Sequence, residues 1–275
     1  MSVARRVSRC LSIAGSDSGG GAGIQADLKA FARCGAHGMS AITALTAQST
    51  RGVDMVMPVA PEMIVAQVRA VASDIGVDAV KIGMLGDEAT IAAVNEALDF
   101  VGDAPIVLDP VMVAESGAVL LDPSAEAALV DRILPRATVA TPNLPEAREL
   151  SGLDDGAGPE ALGRAILGLG AAAVIVTGGH AEDGADHLVE PQATLRIDGP
   201  RHPGGASHGS GCTHSAALAA LLAAGFELSE AARRAREIAA AAVRDGLREL
   251  GSGAGPVDVL GLERLAGRGP ADPDV

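Results

Sequence analysis

The 275-residue chain contains no tryptophan, no tyrosine and only three phenylalanines. Proteins that hold single-stranded nucleic acid stack bases on aromatic faces, and this chain cannot supply them. Lysine is almost as scarce, with only Lys29 and Lys81. The formal charge of -14 repels phosphate backbones and anionic membranes, so neither nucleic acid nor membrane is an expected partner. Cysteine is limited to Cys10, Cys34 and Cys212, an odd and scattered set with no disulfide framework and no CxxC metal pair. A reducing cytoplasm is the expected location. The apolar run after Arg5 and Arg6 stops at Ser16 and Asp17, so no signal peptide is expected. The longest apolar stretch, 215–224, is too short to span a bilayer.

Hydrophobic residues make up 48% of the chain and charged residues 20%, enough for a sizeable core. That core must be built from Ala, Val, Leu and Ile. The length suits one large α/β domain, expected over 1–265, with a loose Gly-, Pro- and Asp-rich tail at 266–275.

Compact apolar runs at 10–14, 41–47, 79–82, 106–108, 138–140 and 173–176 read as buried parallel strands. Helical spacing separates them: Ile24, Leu28 and Phe31 with Gly35 as C-cap; Ile64, Val68 and Val71; Ile91, Val94 and Leu98 with Asp87 near the start. The alternation predicts right-handed βαβ units and a mostly parallel sheet covered on both faces. Residues 184–197 read as an antiparallel edge hairpin, and 211–224 and 229–249 as two long Ala-rich helices. Ligands of such sheets bind beyond the carboxyl ends of the strands, so the residues there matter most.

The first strand ends in Gly15-Ser16-Asp17-Ser18-Gly19-Gly20-Gly21-Ala22-Gly23. Glycines allow sharp turns and close ligand approach; the plainer reading is a flexible strand-to-helix turn. The second strand ends near Gln48, whose carboxamide can meet an aminopyrimidine edge or simply be a polar strand end. After Lys81-Ile82-Gly83, Met84 can pack on a flat ring or in the core. Asp109 follows a buried strand and precedes Pro110, where a carboxylate suits Mg²⁺ or a helix cap. Asn143 and Glu146 can face the same metal or form a capping box, and both can hold together. His208-Gly209-Ser210-Gly211-Cys212-Thr213 opens an Ala-rich helix, where free N–H groups cradle an anion. Cys212 is a poor cap, and the helix dipole is expected to lower its thiol pKa.

In order, these segments resemble hydroxymethylpyrimidine/phosphomethylpyrimidine kinases of the ribokinase-like superfamily. The motifs are GSDSGGGAGIQADLKAF, ITALTAQSTRGV, KIGMLG, LDPVM, TPNLPEA, VTGGH and HGSGCTHSAALAA, running from Gly15 to Ala220. HGSGC alone marks only the superfamily; the first two motifs are far more specific. The resemblance implies a three-layer α/β/α fold, a homodimer, and use of ATP and Mg²⁺. It places the pyrimidine at Gly15, Ala22, Asp27, Gln48, Met84 and Val111, and the metal at Asp109 and Glu146. It places the nucleotide at Asn143, Thr177, Gly179, Ser210 and Thr213, with Cys212, Gly209 and Gly211 catalytic. One departure stands out. Related kinases commonly read Lys-Gly-Gly-His where this chain has Thr177-Gly178-Gly179-His180, so either Mg²⁺ and an arginine elsewhere, with Arg201 a candidate, supply the charge at the phosphates, or turnover is slow.

The implied activity is two successive ATP-dependent phosphorylations in thiamine biosynthesis, of the hydroxymethylpyrimidine and of its monophosphate. Pyridoxal kinase activity on the same fold is the nearest alternative, separable by comparing turnover on the two substrates. A non-catalytic pyrimidine sensor is another, separable by ADP release.

Overall fold

The computed structural model describes residues 6–179 and 184–262. The tail expected at 266–275 lies outside the described residues. The chain runs β1 (Arg9–Asp17), α1 (Gly23–Arg33), β2 (His37–Ser49), β3 (Gly52–Pro58), α2 (Pro61–Asp74), β4 (Ala79–Ile82), α3 (Glu88–Ala97) and β5 (Ile106–Leu108). It continues through α4 (Glu126–Ala128), β6 (Val139–Ala140), α5 (Leu144–Ser151), α6 (Pro159–Gly168), β7 (Val174–Val176), β8 (Asp186–Glu190), β9 (Ala193–Ile197), α7 (Ser210–Ala223) and α8 (Leu228–Arg244). All nine strands form one sheet, in the order β3-β2-β1-β4-β5-β6-β7-β8-β9. Strands β2, β1, β4, β5, β6 and β7 are mutually parallel, β3 pairs antiparallel with β2 at one edge, and at the other β8 pairs antiparallel with both β7 and β9.

Side chains alternate across a strand, and this divides the core in two. Leu11, Ile13, Val80, Ile82, Ile106 and Leu108 face the layer of α2, α3, α5 and α6. Cys10, Ala79, Val107, Val139 and Ile175 face α1, α7 and α8. Helix α7 is buried from Thr213 to Leu221, as a helix apolar on every side must be. Its alanines, with those of α8, let the helices approach closely and fill the space that aromatics would otherwise occupy.

The three-layer α/β/α architecture, the hairpin at 184–197 and the core strands are as the sequence predicts. Three details differ. The segment β3 was not expected, because its Met55, Val56 and Met57 are exposed rather than alternating into a core. Helix α8 ends at Arg244 instead of 249, where Gly246 packs its backbone against Ala206 and leaves no room for a side chain. Residues 126–136 form a helical stretch that loosens into a π turn and then a 3₁₀ turn.

Candidate active site

Strand tips and the start of α7 enclose one crevice of about 1000 Å³. Period-2 geometry explains what lies at its floor. Ser12 pairs in register with Lys81, and Lys81 with Val107; Asp109, two residues on, continues the same face. Helix α1 adds Asp27 and α7 adds Ser215. Lys81 Nζ lies 2.9 Å from Asp27 Oδ1 and 3.6 Å from Asp109 Oδ2. Ser12 Oγ donates to Asp27 at 2.6 Å, and Ser215 Oγ to Asp109 at 2.9 Å. Burial alone would lower the Lys81 ammonium, but Asp27, Cys212 and Asp109 outweigh it and hold it charged, above its ordinary value.

The glycine loop is tied by Asp17. Its carboxylate accepts N–H bonds from Gly19 (2.7 Å), Gly21 (3.0 Å) and Ala22 (2.8 Å) and stands 3.0 Å from His208 Nε2. Burial alone would raise this carboxyl; His208 and the loop N–H groups bring it below the usual value. At the far end of the loop Gly23, at φ +57°, leaves no space for a side chain because a Cβ would lie 2.3 Å from the Gly15 carbonyl. Gly15 in turn abuts Met84, whose sulfur would be 3.0 Å from a Cβ there.

Opposite stands the α7 start. Gly209 at φ +83° turns the chain into the helix. The Ser210 N–H bonds Ser207 O and the Thr213 N–H bonds Gly209 O, which leaves Gly211 and Cys212 as the N–H groups available to an anion. Cys212 as a whole residue is half-buried. Loss of hydration pushes it up to about 12, against the pull of Lys81 and the Gly23 N–H, with Asp27 and Asp109 adding to the rise. The expected lowering by the helix dipole is therefore corrected: desolvation and two nearby carboxylates win.

Of the residues singled out from the sequence, Gly15, Ala22, Gln48, Met84, Val111, Asp109, Asn143, Glu146, Thr177, Gly179, Gly209, Ser210, Gly211 and Cys212 line this crevice. Asp27 and Thr213 do not. Asp27 is fully buried beneath it, engaged with Ser12 and Lys81. Thr213 is also fully buried, its hydroxyl turned into the interior.

The family model described as phosphomethylpyrimidine kinase matches residues 17–258. The chain belongs to this family. A hydroxymethylpyrimidine/phosphomethylpyrimidine kinase of Rhizobium meliloti is 49% identical over 253 residues, covering 90% of this chain and 95% of the relative. The phosphomethylpyrimidine kinase of Clostridium difficile superimposes with a TM-score of 0.74 at 39% identity, over 84% of this chain and 96% of that one. The Staphylococcus aureus pyridoxal kinase in complex with AMP-PCP and pyridoxal gives a TM-score of 0.84 at 35% identity, over 94% of this chain and 96% of that one.

In this kinase Asp109 and Glu146 are two acidic residues lining the crevice, each nearly buried. Glu146 closes a capping box with Asn143, each side chain meeting the other residue's backbone N–H at 2.9 Å. Burial and the Asp109 charge push Glu146 up to about 8. The capping reading holds, and the cap consumes only part of the carboxylate's acceptor capacity. Lys81 was not singled out from the sequence as a site residue. The available signal was a lysine inside the buried run AVKIGM of a chain with two lysines in all.

Proposed function

We propose that this kinase uses ATP to phosphorylate 4-amino-5-hydroxymethyl-2-methylpyrimidine and then its monophosphate, as a step of thiamine diphosphate biosynthesis. The observation that carries the reading is convergence. Gln48 and Met84 share one crevice with Cys212, Asp109 and the available N–H groups of α7. The pyrimidine packs against Gly15, Ala22, Met84 and Val111, and its amino edge meets Gln48. Its hydroxymethyl arm faces Cys212, whose thiolate form accepts the hydroxyl proton and becomes the thiol, or which orients a water that does so. Such a transfer needs chiefly in-line placement and charge neutralisation, and the Gly211 and Cys212 N–H groups stabilise the transferring phosphoryl.

Two nearly buried carboxylates, one of them raised by its neighbour, suit a hard divalent cation. Among the described residues no three His, Cys, Asp or Glu side chains gather into a metal cage. That matches Mg²⁺, which takes one or two carboxylates and completes its shell with phosphates and water. Asp109 and Glu146 would hold it, and the ion would neutralise charge on the nucleotide phosphates. Nucleotide contacts fall to Asn143, Thr177, Gly179 and Ser210 at the other half of the crevice.

We also read the kinase as a cytoplasmic homodimer. Three free cysteines and the absence, among the described residues, of a helix long and apolar enough to cross a membrane accord with the first part. The exposed Leu45, Met55, Val56, Met57 and Met63 around edge strand β3 support the second.

The closer superposition on the pyridoxal kinase favours pyridoxal as a second substrate, whereas sequence identity favours the pyrimidine. A coupled assay of ADP release decides, with pyrimidine alcohol, its monophosphate and pyridoxal side by side. The expected order of kcat/KM puts both pyrimidines above pyridoxal. A higher value for pyridoxal reverses the assignment, and tight pyrimidine binding without ADP release turns the chain into a sensor.

A further inference from the structure

The crevice as a whole presents an imbalance of charge. Asp17, Asp109, Glu115, Glu126, Glu146, Glu149 and Asp186 line the crevice, against Lys81, Arg201 and Arg236. Lys81 is committed to Asp27 and Asp109 at the pyrimidine end. Thr177, at the tip of β7, carries only a hydroxyl. A nucleotide polyphosphate entering here needs a cation close to that tip.

Arg236 stands there. Its Nη1 lies 3.6 Å from Asp186 Oδ1, and its Nη2 donates to the Gly184 carbonyl. The same Asp186 oxygen accepts the Gly178 N–H at 2.8 Å, so a single carboxylate links Arg236 to the residue next to Thr177. The other Asp186 oxygen is 3.4 Å from His214 Nε2, on the first turns of α7. Burial alone would raise Asp186, but His214, Arg236 and the Gly178 N–H together hold it ionised, below its usual value. The carboxylate can thus anchor a guanidinium without losing its charge.

The cluster is under-satisfied. Arg236 Nε and His214 Nδ1 are buried without a hydrogen-bond partner among the described residues, His214 Nε2 faces Asp186 alone, and the His214 side chain is 6% exposed. Buried polar atoms are rarely left unpaired, and both side chains line the crevice. The spacing along α8 adds direction. Arg236, Ala239, Ala240 and Val243 fall at i, i+3, i+4 and i+7 and line the crevice as one stripe. A charged head is followed by small apolar positions, the order in which a phosphate tail and a flat base differ.

We propose that Arg236 is a phosphate-contacting residue of the nucleotide site, with Asp186 and His214 as positioning residues that aim its guanidinium. This rests on the kinase reading given above. Arg201 packs its stem over Gly184, where a Cβ would meet Arg201 Cγ at 2.5 Å, so the two arginines converge on one peptide; Arg236 is the one that Asp186 links to Gly178, the residue next to Thr177.

Calorimetric titration with ADP and with adenosine tests this. Arg236→Gln is expected to weaken ADP binding at least tenfold while adenosine and the pyrimidine bind as in wild type. Arg236→Lys is expected to recover part of the loss, and Asp186→Asn to raise KM for ATP more than it lowers kcat. Wild-type affinity for ADP in Arg236→Gln overturns the proposal, as does an equal loss for adenosine, or a loss confined to Arg201→Gln. Should Arg236→Gln not fold, a crystal structure of wild type with AMP-PCP serves: Arg236 within hydrogen-bond distance of a phosphate oxygen supports the proposal, and a guanidinium turned away rejects it. A wild-type chain that binds no ADP sinks the kinase reading itself, a result distinct from unchanged affinity in the variant.

Discussion

Lys81 and Asp27 form an ion pair at 2.9 Å with both side chains at 0% exposure, directly beneath the crevice. Neither charge touches water, so each depends on the other. Removing one partner of such a pair typically costs about 3–5 kcal/mol, whereas replacing both by apolar groups of similar volume is far milder. Asp27→Leu is therefore expected to destabilise the chain by about 3–5 kcal/mol in urea unfolding, and Asp27→Leu with Lys81→Met to recover most of it. A double variant as unstable as the single one rules out this account. Turnover in the double variant is expected to stay low, because Lys81 also faces Asp109.

The position of Cys212 makes its ionisation a rate question. With the thiol pushed up to about 12, little thiolate exists at neutral pH, and its fraction grows about tenfold per pH unit below that value. If the thiolate takes the substrate proton, kcat rises steeply from pH 7 to 9. Cys212→Ala is expected to flatten that rise and to lower turnover more than tenfold, about 1.4 kcal/mol of barrier. A wild-type profile already flat over this range assigns Cys212 to positioning. Alkylation of the native chain by iodoacetamide at pH 8 is expected to be far slower than that of free cysteine.

Asp17 fastens the glycine loop, and its folded carboxyl lies below the unfolded value. A depressed carboxyl contributes stability that is present above the unfolded pKa and lost as pH falls through the folded one. Asp17→Asn is thus expected to melt below wild type at pH 7. The gap should close as the buffer is taken below the ordinary carboxylate range near pH 4. A gap of constant size across that window assigns the effect to packing instead.

How much of this was legible before the coordinates follows from periodicity. Strand tips such as Asp109, Gln48 and Met84 could be placed because each follows a compact apolar run, and runs buried on both faces are distinctive. The edge strand β3 escaped because an exposed antiparallel strand has no core face to print on the sequence. Asp27 was expected at the ligand because its motif travels with ligand-binding residues. Its real partners, Ser12 and Lys81, come from two other segments, and only the register of β1 against β4 brings them together. Arg236 carried no local signal either, since its meaning depends on Asp186 from the edge hairpin. The thiol of Cys212 was misread for a related reason: the helix start is visible in sequence, but the desolvation that dominates there is not.

The α7 entry offers a contrast between two glycines two residues apart. A Cβ on Gly209 would lie 1.8 Å from the Gly21 carbonyl, at φ +83°. Gly209→Ala must therefore separate the two loops, and it is expected to lose both stability and activity. A Cβ on Gly211 meets nothing within 4 Å, and its backbone is helical. Alanine is favoured over glycine in a helix by roughly 0.8–1.0 kcal/mol, so Gly211→Ala is expected to melt at or above the wild-type temperature. No protein atom objects to the added methyl, so any loss of turnover must come from what enters the crevice. If the transferring phosphoryl group passes against the Gly211 N–H, Gly211→Ala is a stable protein with turnover at least tenfold lower. Full activity in this variant would mean that the phosphoryl group takes another route, and would remove the α7 cradle from the mechanism.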